Sequence, residues 1–199
     1  MRRSQIPLLL LIVACTLAGC GKRASAARME LAQMNIRYTE KDFIDNARAG
    51  NTTAVALFAD AGINLEARDR VGQTALMAAT LSNQLETVKV LLAKGADPNA
   101  HDKYGGTALM TASWNGSQDI VVALLAGRVD VNARADNGMT ALMFAAWENH
   151  ADVSRILLGR GADSGLKDKS GMTALMRADF KGHTEVAALL REPEKRNDH

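Results

Sequence analysis

The sequence predicts an all-α solenoid of about five helix-turn-helix units joined by β-turn or hairpin loops, and three observations carry that prediction. The tetrapeptide Thr-Ala-Leu-Met begins at Thr74, Thr107, Thr140 and Thr173, at a constant interval of 33 residues. Each copy leads into a small-residue stretch and then an apolar run ending Leu-Leu, with Val and Leu at helical spacings of three and four. Aromatic residues make up only 4% of the chain. That is little with which to fill one large globular core, but a stack of short helices can be packed with Ala, Leu and Val.

Residues 1–19 read as a signal segment that is removed. Arg2 and Arg3 precede an apolar run from Ile6 to Leu17, too short to span a bilayer, and small residues follow. The sequence Leu17-Ala18-Gly19-Cys20 resembles the lipobox of bacterial lipoproteins, in which the cysteine is lipidated and the peptide before it is cleaved away. The resemblance implies fatty chains on Cys20. At about 0.8 kcal/mol per buried methylene, more than one chain makes detachment very unfavourable. Gly21 stands where lipoproteins kept in the inner membrane of Gram-negative bacteria carry Asp, so the same resemblance implies the outer membrane, facing the periplasm. Cys15, the other cysteine, lies in the discarded run, so no disulfide is expected and packing must hold the fold. Residues 20–38 then read as the lipidated cysteine and a solvated tether carrying Lys22, Arg23 and Arg28.

The repeat units follow in register. Residues 39–68 form a weaker N-terminal unit, with Thr39 as helix start and Glu40 and Asp42 favourable to the helix dipole. Three full units cover 69–101, 102–134 and 135–167, a shorter capping unit covers 168–192, and 193–199 is a polar tail. In each of these last four units a glycine (Gly72, Gly105, Gly138, Gly171) lies two residues before the Thr, where a turn favours positive φ. The Thr caps the first helix, whose leading amides lack internal partners. Ala75, Leu76, Ala78 and Ala79 give that helix a small face for close stacking. The second helix carries Val88, Leu91 and Leu92 and their counterparts, and Gly95, Gly161 and Pro98 mark helix ends.

This 33-residue pattern from Asp69 to Arg191 resembles the ankyrin repeat. The family's usual Thr-Pro-Leu-His is Thr-Ala-Leu-Met here, so Met77, Met110, Met143 and Met176 are expected to form an apolar ladder in place of a polar network. The third unit lacks the turn aspartate (Ala135) and the loop asparagine (Gly165), which predicts looser loops there.

In ankyrin arrays partners contact the turn tips and the exposed face of the first helix. Carried onto this sequence, the resemblance points to Leu81, Trp114 with Asn115, Trp147 with Glu148, and Phe180 with Lys181 on the helices. At the tips it points to Arg70, Val71, Lys103, Tyr104, Asn137 and Met139. Two Trp and one Phe thus fall on one row of a chain poor in aromatics. Either they project into the groove as binding anchors, or each folds over the neighbouring helix to shield the stack.

Charge and motifs exclude other classes. Without Arg2 and Arg3 the chain balances 22 acidic residues with as many basic ones, which disfavours nucleic acid as a partner. His101, His150, His183 and His199 have no nucleophile or metal-ligand partners at the required spacing, so no catalytic residue, metal or cofactor is expected. The expectation is a monomeric, non-catalytic module that binds another protein and is held to the bacterial envelope through Cys20. An enzyme of unrecognised type and a purely structural envelope protein are the alternatives.

Overall fold

The computed structural model describes residues 19–191, with side chains from Gly21 onward. The signal segment, the Cys20 side chain and the polar tail lie outside the described residues. Among the described residues there are eleven helices and no strand. After α1 (Gly19–Gln33) they come in pairs: α2 (Glu40–Ala49) with α3 (Thr52–Asp60), and α4 (Ala75–Leu81) with α5 (Leu85–Ala93). The series continues with α6 (Ala108–Asn115) and α7 (Gln118–Leu125), then α8 (Ala141–Trp147) and α9 (Ala151–Gly159), and ends with α10 (Ala174–Lys181) and α11 (Thr184–Arg191). First helices contact one another in the order α2, α4, α6, α8, α10, and second helices in the order α3, α5, α7, α9, α11, giving an all-α repeat solenoid.

Local chemistry sets each first helix. The Thr39, Thr74, Thr107, Thr140 and Thr173 hydroxyls accept from the backbone N–H three residues on, as N-caps with extended backbone. The helices stop at a left-handed residue, which is Gly50, Gly116 or Gly182 in three units and Asn83 or Asn149 in the others. The Ala-Leu-Met face is then buried between neighbours. Met77, Met110 and Met143 form the expected apolar ladder, Met143 being 1% exposed. Met176, at the same position in the last unit, is 49% exposed because no further helix covers it among the described residues.

The hairpin tips join into a continuous edge. Asp69 Oδ1 accepts from the N–H of Val71 and Gln73, and Asp102 and Asp168 repeat this in their own turns. Each tip then donates to the one before it: Lys103 N–H to the Val71 carbonyl (3.4 Å), Asp136 to Tyr104 (2.8 Å) and Lys169 to Asn137 (2.9 Å). Glycine is required at the contact. Gly105 has φ of 71°, and a Cβ there would stand 2.8 Å from Asp136 N. The third tip, lacking its aspartate, closes instead through Asn137 Oδ1, which accepts from Met139 N–H at 2.9 Å. Ala135 N–H still bonds the Met139 carbonyl, so this tip keeps the backbone pairing of the others.

Residues 20–38 are not the solvated tether expected. They are helical to Gln33, and α1 packs on α3 with Ala27 and Leu31 buried. The four-residue spacing of those two side chains puts them on one helix face. From the same helix Arg28 lies over the Tyr38 ring at 4.4 Å, and the Tyr38 hydroxyl donates to the Ala61 carbonyl at 2.9 Å. The small, polar composition of α1 hides this role in the sequence, since only Ala27 and Leu31 are buried apolar contacts and Arg28 adds a polar one.

The ladder makes a sharp comparison of two identical substitutions. Met143→Ala should cost about 2–5 kcal/mol in chemical denaturation, as for other buried large-to-small changes. Met176→Ala should stay within about 1 kcal/mol of the parent, because its side chain is already half in solvent.

Candidate partner-binding surface

The last turn of each first helix carries the row Leu81, Trp114, Trp147 and Phe180. Its backbone is pinned by the following repeat. Asn115 Nδ2 donates to the Leu81 carbonyl (3.3 Å), the His150 ring N–H to Trp114 (2.9 Å) and the His183 ring N–H to Trp147 (3.0 Å). These histidines therefore hold repeat to repeat, and Gly116 is small enough to let the His150 ring lie against it.

The two fates foreseen for the aromatic rings coexist. Trp114 meets Phe144 edge-on at 5.8 Å yet remains 45% exposed. Trp147 is covered more fully. It stacks on Phe180 at 6.0 Å, with the Arg177 guanidinium 5.2 Å and the Lys181 ammonium 4.8 Å from its ring centre, and is half-buried. Phe180 itself is 73% exposed and Leu81 47%. Asn115 and Lys181 are exposed beside the row, and Glu148 is half-buried.

At the tips Arg70, Val71, Lys103, Tyr104 and Asn137 are exposed. Met139 is not. It is 7% exposed, a correction to its expected place at the tip: the residue before the capping Thr140 has already turned into the stack. Phe144 and Arg177 belong to the surface although the sequence reading omits them. Each stands one helical turn before a row residue, a spacing of three that puts both side chains on one face. The same turn-to-helix junction forms an open cleft between α2 and the first tip, lined by Lys41, Ile44, Arg70 and Val71 among others.

Arg177 also anchors the last tip. Its Nε donates to Asp168 Oδ2 at 2.8 Å, and the Asp168 side chain is almost wholly buried. Burial works against ionisation of this carboxyl. The Arg177 hydrogen bonds, the Met172 and Ser170 backbone N–H groups and the guanidinium charge outweigh it and hold the pKa below the ordinary aspartate value.

The pairing of helices, the capped Thr positions and the linked tips agree with the comparison to known families: a family model described as ankyrin repeats in three copies matches residues 44–135 and again 109–198. The chain belongs to the ankyrin-repeat family. Ankyrin repeats are protein-interaction modules. The mitochondrial disaggregases of Homo sapiens and Bos taurus are each 37% identical to this chain over 83 residues, which is 41% of its length. The match spans 12% of the length of those relatives. Among the described residues of this ankyrin chain no group of three or more His, Cys, Asp or Glu could hold a metal ion, and no helix is long and apolar enough to cross a membrane.

The Asp168–Arg177 pair ties array stability to pH. A carboxyl whose pKa is lowered on folding stabilises fully above its unfolded pKa, about 3.9, and loses that contribution as pH falls through the folded value. Asp168→Asn should therefore lower stability at neutral pH by about 1–3 kcal/mol, leaving the partly buried Arg177 guanidinium without its charged partner. It should also flatten the acid limb of stability against pH, which denaturation series at several pH values would read.

Proposed function

We propose that this ankyrin chain is a non-catalytic interaction module, anchored to the bacterial envelope through lipid on Cys20, that captures a partner protein on the row Leu81, Trp114, Trp147 and Phe180. The observation that supports the groove is that three large apolar side chains of one row, Leu81, Trp114 and Phe180, stay 45–73% exposed side by side along the stack. The lipobox-like Leu17-Ala18-Gly19-Cys20 supports the anchor. With Gly21 after the cysteine, the outer membrane facing the periplasm is the proposed site.

Such a module acts by occupancy. It scaffolds, tethers or masks a partner, as an inhibitor or immunity protein or as an accessory to a periplasmic enzyme, and needs only a rigid surface and an anchor. Trp and Phe on a rigid frame supply large contact area at small entropic cost, the chemistry of interaction hot spots. We propose a monomer.

Pulldown from envelope extract with the full chain, compared with the Trp114→Ala/Trp147→Ala/Phe180→Ala variant, tests the groove. A discrete protein captured by the parent and lost from a variant that still unfolds cooperatively is the expected result; identical captures would remove the row from consideration. Cys20→Ser should abolish incorporation of a labelled fatty acid and release the chain from membranes. Persisting acylation would sink the anchor.

A further inference from the structure

Beside the apolar row, the tips carry a second repeating feature. In the column one residue before each turn aspartate position stand Arg68, His101, Arg134 and Lys167, and two residues later stand Arg70, Lys103, Asp136 and Lys169. Six of these eight positions are lysine or arginine, all six exposed, against one acid. The backbone bonds that link tip to tip align both columns along one edge.

Those cations have little carboxylate to answer them. The turn aspartates on the same edge direct Oδ1 to backbone N–H groups, while Arg48 takes Asp69 Oδ2 and Arg177 takes Asp168 Oδ2. Among the described residues Arg70, Lys103, Lys167 and Lys169 are in no ion pair. The loops at the other end of the helix pairs present Asp97, Asp130 and Asp163 together with Lys94, Arg128 and Arg160, all exposed, so base and acid balance there. The tip edge therefore carries a local excess of base although the whole chain is nearly neutral.

Apolar side chains interleave with the basic edge. Val71 and Tyr104 follow Arg70 and Lys103 directly and are exposed. RNA bases and membrane interfaces also take up exposed rings, but a chain of net charge +2 with Asp102 and Asp136 on the same edge disfavours an extended polyanion. A protein segment needs only a few separated carboxylates for the cations and apolar side chains for the row.

Resting on the proposed groove reading, we infer that the partner presents an acidic segment with aliphatic or aromatic anchors, its carboxylates on the tip cations and its anchors on the row. Charge on such an edge chiefly sets partner choice and association rate, while the desolvated row sets residence time.

The test pans a random peptide library against the full chain in detergent micelles, then measures the enriched peptide and its Asp/Glu→Asn/Gln twin by fluorescence anisotropy. An enriched sequence combining Leu or aromatic residues with Asp/Glu, bound about tenfold more weakly as the neutral twin and by Lys103→Glu/Lys169→Glu, is the expected result. The same weakening should shrink in high salt. Apolar peptides without acidic residues, lost in Trp114→Ala/Phe180→Ala but indifferent to the lysine changes, would overturn the acidic preference and leave the groove standing. Peptides that bind parent and Trp114→Ala/Phe180→Ala alike would overturn both. Phosphatidylglycerol vesicles or RNA retained through Lys103 and Lys169, with no peptide enriched, would overturn it in favour of a polyanion.

Discussion

An Ala-Leu-Met helix of seven or eight residues has no apolar face broad enough to be stable alone, and its burial against the same helix of the next repeat is the contact on which this molecule depends. The small Ala side chains bring neighbouring helices close, and Met77, Met110 and Met143 fill the irregular space that remains. Everything at the surface follows from this spacing. The tips come near enough to exchange backbone hydrogen bonds only because the helices behind them stack, and a Cβ on Gly72, Gly105 or Gly138 would break that approach.

The same register makes the row a fixed surface. The Leu81, Trp114 and Trp147 carbonyls are each held by a side chain of the following repeat, so the last turn cannot fray and the side chains it carries keep their places. Trp147 lies under Phe180, Arg177 and Lys181, which orients it without a partner present. A surface ordered in advance loses less entropy when it binds. At the other end of the stack α1 covers α3, so the polypeptide near Cys20 is coupled to the array through Ala27, Leu31 and the Arg28–Tyr38 contact rather than by free chain.

Much of this was legible in the sequence because the repeat states each position four times. A threonine recurring with turn chemistry before it and small residues after it can only be a helix cap, and Thr74, Thr107, Thr140 and Thr173 all accept the capping bond. The row position could be read by the same count. What repetition could not supply was contact between unlike residues. Phe144 and Arg177 occupy a column that holds Ala78 and Thr111 elsewhere, so no pattern marks them as neighbours of the tryptophans. Met139 misled because its column also holds Gln73 and Gly106, which suggest solvent. The looseness expected of the third tip overlooked Asn137, whose side chain replaces the missing aspartate two residues later. α1 carries no repeat at all, and two inward side chains in fifteen residues are too few to announce a packed helix.

The central claim is that the face carrying Trp114, and not some other exposed apolar site, meets a partner in the cell. Site-specific photocrosslinking tests it directly, with benzoylphenylalanine placed at Trp114 or, for comparison, at Val122 on α7, which is similarly exposed at 44% but lies on the second-helix layer. Irradiation of intact cells should yield one discrete crosslinked protein from position 114 and none from position 122. The same product from both positions, or products from 122 alone, would contradict the account.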